Sequence, residues 1–207
     1  MAMNTSIPSA PPSRGPSDHD VRTQVVDAAT EYFARYGYEK TTVSDLAKAI
    51  GFSKAYIYKF FDSKQAIGEV ICANCLNGMR QAVDEAIADA TSASDRFRRM
   101  FRAFVDAGTQ LFFEDRKLYD IAAAAARGPW PSAQAYERYI EDLVVRIVRE
   151  GRESGEFERK TPLDETAGAI CLVMKPYVNP LLLQYNLEGA AEATSLLASL
   201  VLRSLAP

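Results

Sequence analysis

Histidine is nearly absent, with His19 the single example in 207 residues, and cysteine is limited to Cys72, Cys75 and Cys171. Cys72 and Cys75 stand three apart, a spacing compatible with metal ligation or redox chemistry, yet four soft ligands are hard to assemble from this set. Buried free thiols are the preferred reading, and no metal is expected. Catalysis is equally poorly supplied. No Ser or Cys stands in a nucleophile-elbow setting, no glycine-rich phosphate loop follows a strand, no convincing strand is found, and the carboxylates are scattered. The chain therefore does not read as an enzyme, and neither a catalytic residue nor a cofactor is expected. An apolar run of about 18 residues is missing too, and the first residues lack a basic segment followed by an apolar one. Both absences argue against a membrane span or a secretion signal and for a cytoplasmic protein. A net charge of −3 leaves no general attraction for nucleic acid over the whole surface, so any DNA contact must be local.

What is present is 48% hydrophobic and 25% charged residues, enough for a sizeable core or two subdomains. Residues 1–17 hold Pro8, Pro11, Pro12 and Pro16 among Ser, Ala and Gly, a composition that cannot bury enough apolar surface to offset ordering. They are expected to form a disordered arm. An arm reaching into the minor groove would have only Arg14 as a cation, so an inert tail is preferred. Residues 18–65 and 66–207 are expected to form two helical units, an all-α fold.

The chain is organised around residues 41–64, TTVSDLAKAIGFSKAYIYKFFDSK. Thr41 and Thr42 are placed to cap a helix in which Val43, Leu46, Ala47 and Ile50 share one face, and Gly51 ends it. Ser53 caps a second helix, with Lys54, Tyr56 and Lys59 outward and Ile57, Phe60 and Phe61 toward the core. Two short helices joined by a glycine-containing turn spell a helix-turn-helix. Residues 18–65 carry seven basic and seven acidic side chains, but Lys48, Lys54, Lys59 and Lys64 face only Asp62 within the later part. A small basic face with hydroxyl and aromatic groups suits phosphate and base-edge contacts, although a solvated helix with a few lysines is the plainer alternative on charge alone.

The residue order closely resembles the DNA-binding domain of the TetR (tetracycline repressor) family of bacterial transcription regulators. The resemblance runs through Ala28-Ala29, Phe33 and Gly37-Tyr38. It continues over residues 42–47, Gly51-Phe52-Ser53-Lys54 and Ile57-Tyr58, and closes with residues 61–64. Ala55-Tyr56 and Lys59-Phe60 depart from the common pattern, on the helix expected to read DNA. The resemblance implies an N-terminal three-helix DNA-binding domain and a C-terminal helical domain for ligand binding and dimerisation. It assigns Thr41, Thr42 and the Val43 backbone to phosphate, and Ser53, Lys54, Ala55 and Tyr56 to the major groove. Lys54 would donate to guanine and Ala55 or Tyr56 would touch a thymine methyl, with Tyr58, Lys59 and Lys64 on the flanking backbone.

Further along, helical periodicity predicts a buttressing helix from Asp18 to Gly37, then a long helix from Ser63 to about Ala90 that links the two units. Another is capped by Ser94 and carries Phe97, Phe101 and Phe104, and a shorter Ala-rich one covers residues 115–126. After the break at Gly128-Pro129-Trp130-Pro131, a helix runs from Ser132 to Gly151 or Gly155. Arg96, Arg98, Arg99 and Arg102 are read as paired surface arginines, with an anion site as the alternative. Thr161 and Asn186 are expected to cap the last two helices, residues 163–185 and 187–205, with Pro176 and Pro180 kinking or breaking the first. Their apolar surface wants a partner, and the family resemblance makes them the homodimer interface. A hydrophobic or aromatic small-molecule effector is expected among Phe101, Phe104, Phe112, Trp130, Met174 and Tyr177, residues that at helical spacing also suit plain core. The implied function is a repressor binding a near-palindromic double-stranded operator as a homodimer and released by that effector. The rivals are a ligand-independent architectural DNA binder and a helical ligand-binding protein or enzyme with a vestigial DNA motif, and activation in place of repression stays open.

Overall fold

The computed structural model describes residues 18–207; the expected arm, residues 1–17, lies outside the described residues. Among the described residues the chain is all-helical, with no strand. Helix α1 (Asp18–Tyr36) places Asp18 and Asp20 in its first turn and Arg35 in its last, matching the helix dipole, and buries Val21, Val25, Ala29 and Phe33. Helix α2 (Val43–Ile50) buries Val43, Leu46 and Ala47 against it. Gly51 ends α2 at φ 72°, the left-handed region where a Cβ is costly. Helix α3 (Lys54–Ile57) is short: beyond Ile57 the chain continues as turns, with Phe60 N–H donating to Ile57 carbonyl at 2.9 Å.

Helix α4 (Lys64–Ile87) is the shared strut. It packs against α1 on one side and, on the other, against α5 (Ala93–Glu114), α6 (Arg116–Arg127) and α7 (Pro131–Ser154). The buried side chains of the N-terminal helices and of this larger bundle form one continuous cluster. Helix α8 (Leu163–Val178) lies on α7 and α5, followed by a single turn, α9 (Pro180–Leu183), and by α10 (Ala190–Ser204), which covers α5 and α8. Such packing is worth about 3–5 kcal/mol for each fully buried Phe, of which Phe33, Phe97 and Phe101 are examples.

Several expected boundaries move. Ser92, not Ser94, caps α5, its Oγ accepting from Asp95 N–H at 3.0 Å, while Glu156 takes the N–H groups of Ala93 and Ser94. Thr161 does not cap α8. The N-cap position falls on Pro162, and the Thr161 N–H is spent on the Glu158 carboxylate. Asn186 does not cap the last helix either, because its side-chain amide donates to Leu182 carbonyl at 2.8 Å and the helix begins after Gly189. Of the two prolines, Pro176 is absorbed within α8 while Pro180 ends it by opening α9, where Asn179 accepts from Leu181 N–H at 2.9 Å. Gly155, not Gly151, ends α7, since Gly151 faces the Phe157 ring within the packed bundle. In the arginine cluster, Arg96 pairs with Glu150 and Arg99 with Asp89 and Asp95, the paired-surface reading.

Candidate nucleic-acid interface

Each motif helix begins with a side-chain cap that fixes its direction. Thr42 and Asp45 form a reciprocal capping box at the start of α2: Asp45 N–H donates to Thr42 Oγ1 at 3.2 Å and Thr42 N–H donates to Asp45 Oδ2 at 2.9 Å. Thr42 Oγ1 also donates to Asp45 Oδ2 at 2.6 Å, and these bonds hold the Asp45 carboxyl below its usual range. At the start of α3, Ser53 Oγ accepts from Tyr56 N–H at 3.1 Å, which leaves its own proton available for an outside acceptor. Ser53, Lys54, Ala55, Tyr58 and Lys59 are exposed on this helix and the turn after it. Lys54 Nζ lies 5.7 Å from the Tyr58 ring centroid and Lys59 Nζ 5.6 Å from that of Tyr56, so both cations ride on aromatic faces. Tyr56 is half-buried between Phe52 and Phe60, with ring centroids at 5.0 and 5.3 Å in edge-to-face contact.

Two expected contact side chains, those of Thr41 and Lys64, are turned inward, while Val43 is expected to offer only its backbone. Thr41 is buried and its hydroxyl donates to Gly37 carbonyl at 2.9 Å, closing the loop between α1 and α2. The Val43 side chain is core, leaving only its backbone at the start of α2. Lys64 Nζ donates to Tyr38 carbonyl at 2.9 Å and lies 4.3 Å from the Tyr38 ring centroid, clamping α4 to the end of α1. Arg22 works the same way from α1, donating to Phe60 carbonyl and lying 4.4 Å from the Phe61 ring centroid. The exposed chemistry is thus concentrated at Thr42, Ser53, Lys54, Ala55, Tyr58 and Lys59, with Lys48 exposed on α2 beside them.

Behind this face, the bundle of α4 to α9 encloses a cavity of ≈590 Å³. Its walls include Leu76, Met79, Leu111, Ala122, Ile140, Val145 and Leu183, with Tyr119 and Tyr136 inside and Glu137, Glu141, Asp164 and Lys175 exposed at the mouth. Tyr119 OH donates to Pro180 carbonyl at 2.6 Å, and burial pushes its pKa up to about 12. The Tyr136 hydroxyl is buried with no partner among the described residues, and burial raises its pKa further.

Residues 25–70 match the model of the bacterial regulatory proteins of the tetR family, and residues 93–195 match that of the tetracyclin repressor-like C-terminal domain. The chain belongs to the TetR family. Its helix-turn-helix is the family's DNA-binding motif, and the family's members are transcriptional regulators rather than enzymes. Among curated relatives, the uncharacterized HTH-type transcriptional regulator YhgD of Bacillus subtilis is 26% identical over 149 residues, 69% of this chain and 75% of that protein. IcaR of Staphylococcus aureus, the negative transcriptional regulator of the biofilm operon icaADBC, is 32% identical over 63 residues, 30% of this chain and 34% of that protein. Among solved structures, the TetR family regulator PfmR of Thermus thermophilus is 25% identical with a TM-score of 0.57, covering 86% of this chain and 97% of that one. The fold of the fatty acid degradation regulator FadR of Bacillus halodurans superposes with a TM-score of 0.65 at 19% identity, over 92% of this chain and 96% of that one.

The cavity of this TetR-family chain is not lined by the residues that the sequence singled out. Phe101, Phe104 and Met174 are core, Phe112 stacks edge-on with Tyr119, and Tyr177 with Phe101, all outside the cavity wall. Trp130 instead closes against the N-terminal helices, its ring centroid 5.5 Å from that of Tyr38. The lining is largely aliphatic with two tyrosines, and three carboxylates and Lys175 stand at the mouth, a mixture that looks like ordinary amphipathic helix in one dimension. Its one sequence signal is Glu137 and Glu141 four apart on α7, beside Tyr136. Cys72, Cys75 and Cys171 carry free thiols, and among the described residues no His, Cys, Asp or Glu group is arranged to hold a metal. No described helix is long and apolar enough to cross a membrane.

Proposed function

We propose that this regulator binds a near-palindromic DNA operator as a homodimer in the cytoplasm, represses transcription there, and is released by a small molecule held in the cavity between α4 and α9. The observation that carries the reading is the capped α2–α3 turn. Its exposed N-terminal face offers Ser53, Lys54, Ala55, Tyr58 and Lys59, while Thr41, Lys64 and Arg22 hold it rigidly from behind. The Ser53 hydroxyl and the Lys59 ammonium suit phosphate oxygens, Lys54 suits guanine O6 and N7, and Ala55 suits a thymine methyl. Tyr56, packed between two phenylalanines, serves chiefly to set the angle of the helix, leaving its hydroxyl for contact. Thr42 and the Val43 backbone remain candidates for phosphate at the start of α2.

Dimerisation is supported by exposed apolar side chains on the final helices. Leu172 of α8 and Leu196 and Leu200 of α10 are 70%, 63% and 54% exposed, and Leu182 and Tyr185 lie between them in the chain. Residues 66–207 would then form the effector and dimerisation unit, and residues 18–65 the reader. A ligand releases DNA only by binding one spacing of the two readers better than the other. The route available is the α6–α7 hairpin, which gives Ala122, Ala126, Ala133 and Tyr136 to the cavity and Trp130, at its tip, to Tyr38 and Gly68.

Selection of bound duplexes from a random pool by the purified chain, at near-physiological salt, tests the reading. An enriched inverted repeat that Lys54→Ala, Tyr56→Phe loses is the expected result. Tyr56→Phe keeps the packing against Phe52 and Phe60 and removes only the hydroxyl, so a lost sequence preference is not a folding artefact. Enrichment of nothing, with steep salt dependence, would instead mark a nonspecific architectural binder.

A further inference from the structure

Where the end of α1 and the start of α2 meet the first turn of α6, an open pocket gathers Arg35, Lys40 and Lys117. None of the three forms an ion pair among the described residues, and Arg35 lies only beside a ring, its Cζ 5.2 Å from the Tyr36 centroid. Asp45 is the only carboxylate among the described residues that line the pocket, and it is already occupied: Thr42 N–H donates to it at 2.9 Å and Thr42 Oγ1 at 2.6 Å. Glu39, next to Lys40 in the chain, stands outside the lining. Lys117 is the informative cation. With Arg116 it opens α6, the end of a helix where the dipole disfavours positive charge, and the first turn holds no acidic residue. The N-cap Asp115 is turned to Leu118 N–H at 3.0 Å, and Arg116 is matched by Asp120 at 3.1 Å. Lys117 reaches instead over the α1–α2 turn, its Nζ 3.8 Å from where a Cβ on Gly37 would stand. An unmatched cation at a positive helix end is a small local cost that an anion brought to it would offset.

We propose that this pocket takes a backbone phosphate of bound DNA, Lys117 donating from α6 and Arg35 and Lys40 from the α1–α2 side, so that the DNA interface extends beyond the helix-turn-helix onto the second helical unit. The proposal rests on the reading of the α2–α3 face as the DNA reader. Continuity with that face decides the occupant. Thr41 and Asp45 in the pocket wall flank Thr42 in the chain, and Thr42 with the Val43 backbone is already the candidate phosphate site at the start of α2. A strand held there continues to the pocket, whose flexible cations suit phosphate charge and carry no sequence preference. Helix α6 also gives Tyr119, Ala122 and Ala126 to the cavity, so one helix would serve both the cavity wall and the DNA.

Binding of the full chain to a labelled mixed-sequence duplex, followed by fluorescence anisotropy over a series of salt concentrations at neutral pH, reads how many phosphates are neutralised. Lys117→Gln is expected to reduce the slope of log K against log salt by about one for each bound chain, with the thermal midpoint kept. Lys117→Arg should restore the slope, and Arg127→Gln, which removes an exposed cation from the far end of the same helix, should leave it as in the parent protein. A parental slope in Lys117→Gln overturns the proposal, and so does an equal reduction in Arg127→Gln, the mark of a mere change in net charge. Binding of inorganic pyrophosphate that Lys117→Gln loses while keeping the parental DNA slope would give the pocket to a free anion and overturn it as well. Lys59→Ala in the same series separates this failure from that of the DNA reading. A slope lowered by Lys59→Ala alone keeps the α2–α3 face on DNA and removes α6 from it, whereas a parent protein that binds no duplex takes both down.

Discussion

Gly151 has no room to grow. A Cβ there would come within 2.2 Å of the Phe157 ring, itself buried between α7 and the following loop. Gly151→Ala is therefore expected to cost about 1–3 kcal/mol, read as a lowered thermal midpoint, despite alanine's better helix propensity. At the DNA face the expected effects are on binding instead. Lys59→Ala should weaken all sequences nearly uniformly and reduce the salt slope by about one, whereas Lys54→Ala should relax preference at a single base position. A slope unchanged by Lys59→Ala would remove that residue from the phosphate contacts. Exposure was legible in the pattern for Lys54 and Lys59, whereas Tyr56, which the same pattern turns outward, is half-buried between Phe52 and Phe60. For Thr41 and Lys64 it was not, because their partners are the backbone carbonyls of Gly37 and Tyr38, and sequence patterning says nothing about free carbonyls.

At the scale of helices, the Glu156 carboxylate caps α5 from a distant loop by accepting from Ala93 N–H at 3.0 Å and Ser94 N–H at 3.1 Å. Burial alone would raise its pKa, but these bonds outweigh it and hold the group below the usual carboxylate range. A pKa lowered in the folded state adds stability above the unfolded value of about 4.3 and loses it as pH falls through the folded pKa. Glu156→Gln should accordingly lower the thermal midpoint at pH 7 and narrow its gap to the parent protein as the solution is acidified below pH 4; a constant gap would mean that charge plays no part. The helices themselves were legible, since Val25, Ala29 and Phe33, and Phe97, Phe101 and Phe104, repeat at helical spacing. Their caps were less so. Ser94 and Thr161 have the right chemistry, yet Ser92 takes the amide at the start of α5, and α8 opens after Pro162 with no side-chain cap while Thr161 itself donates to Glu158. Trp130 shows the same limit: its flanking prolines announced a break, but nothing local told that its ring would meet Tyr38 across the bundle.

In the molecule as a whole, an aromatic seam connects the cavity to the reader. Gly68 of α4 lies so close that a Cβ would come within 2.9 Å of Tyr38 and 3.0 Å of Trp130. Gly68→Ala is expected to shift the two halves against each other, altering DNA affinity more than the thermal midpoint; an unchanged affinity would exclude this seam as the route of coupling. The exposed leucines of α8 and α10 predict that Leu196→Glu with Leu200→Glu yields a monomer by sedimentation, with DNA affinity reduced at least tenfold because two linked readers become one. The measurement that bears most directly on the central claim is the affinity of the purified chain for its selected duplex, compared with the same duplex carrying one scrambled half-site, at near-physiological salt. Two chains bound to the intact repeat and a loss of a hundredfold or more on scrambling are predicted for a dimer reading both halves. Equal affinity for the two duplexes, or one chain bound to each, would contradict it.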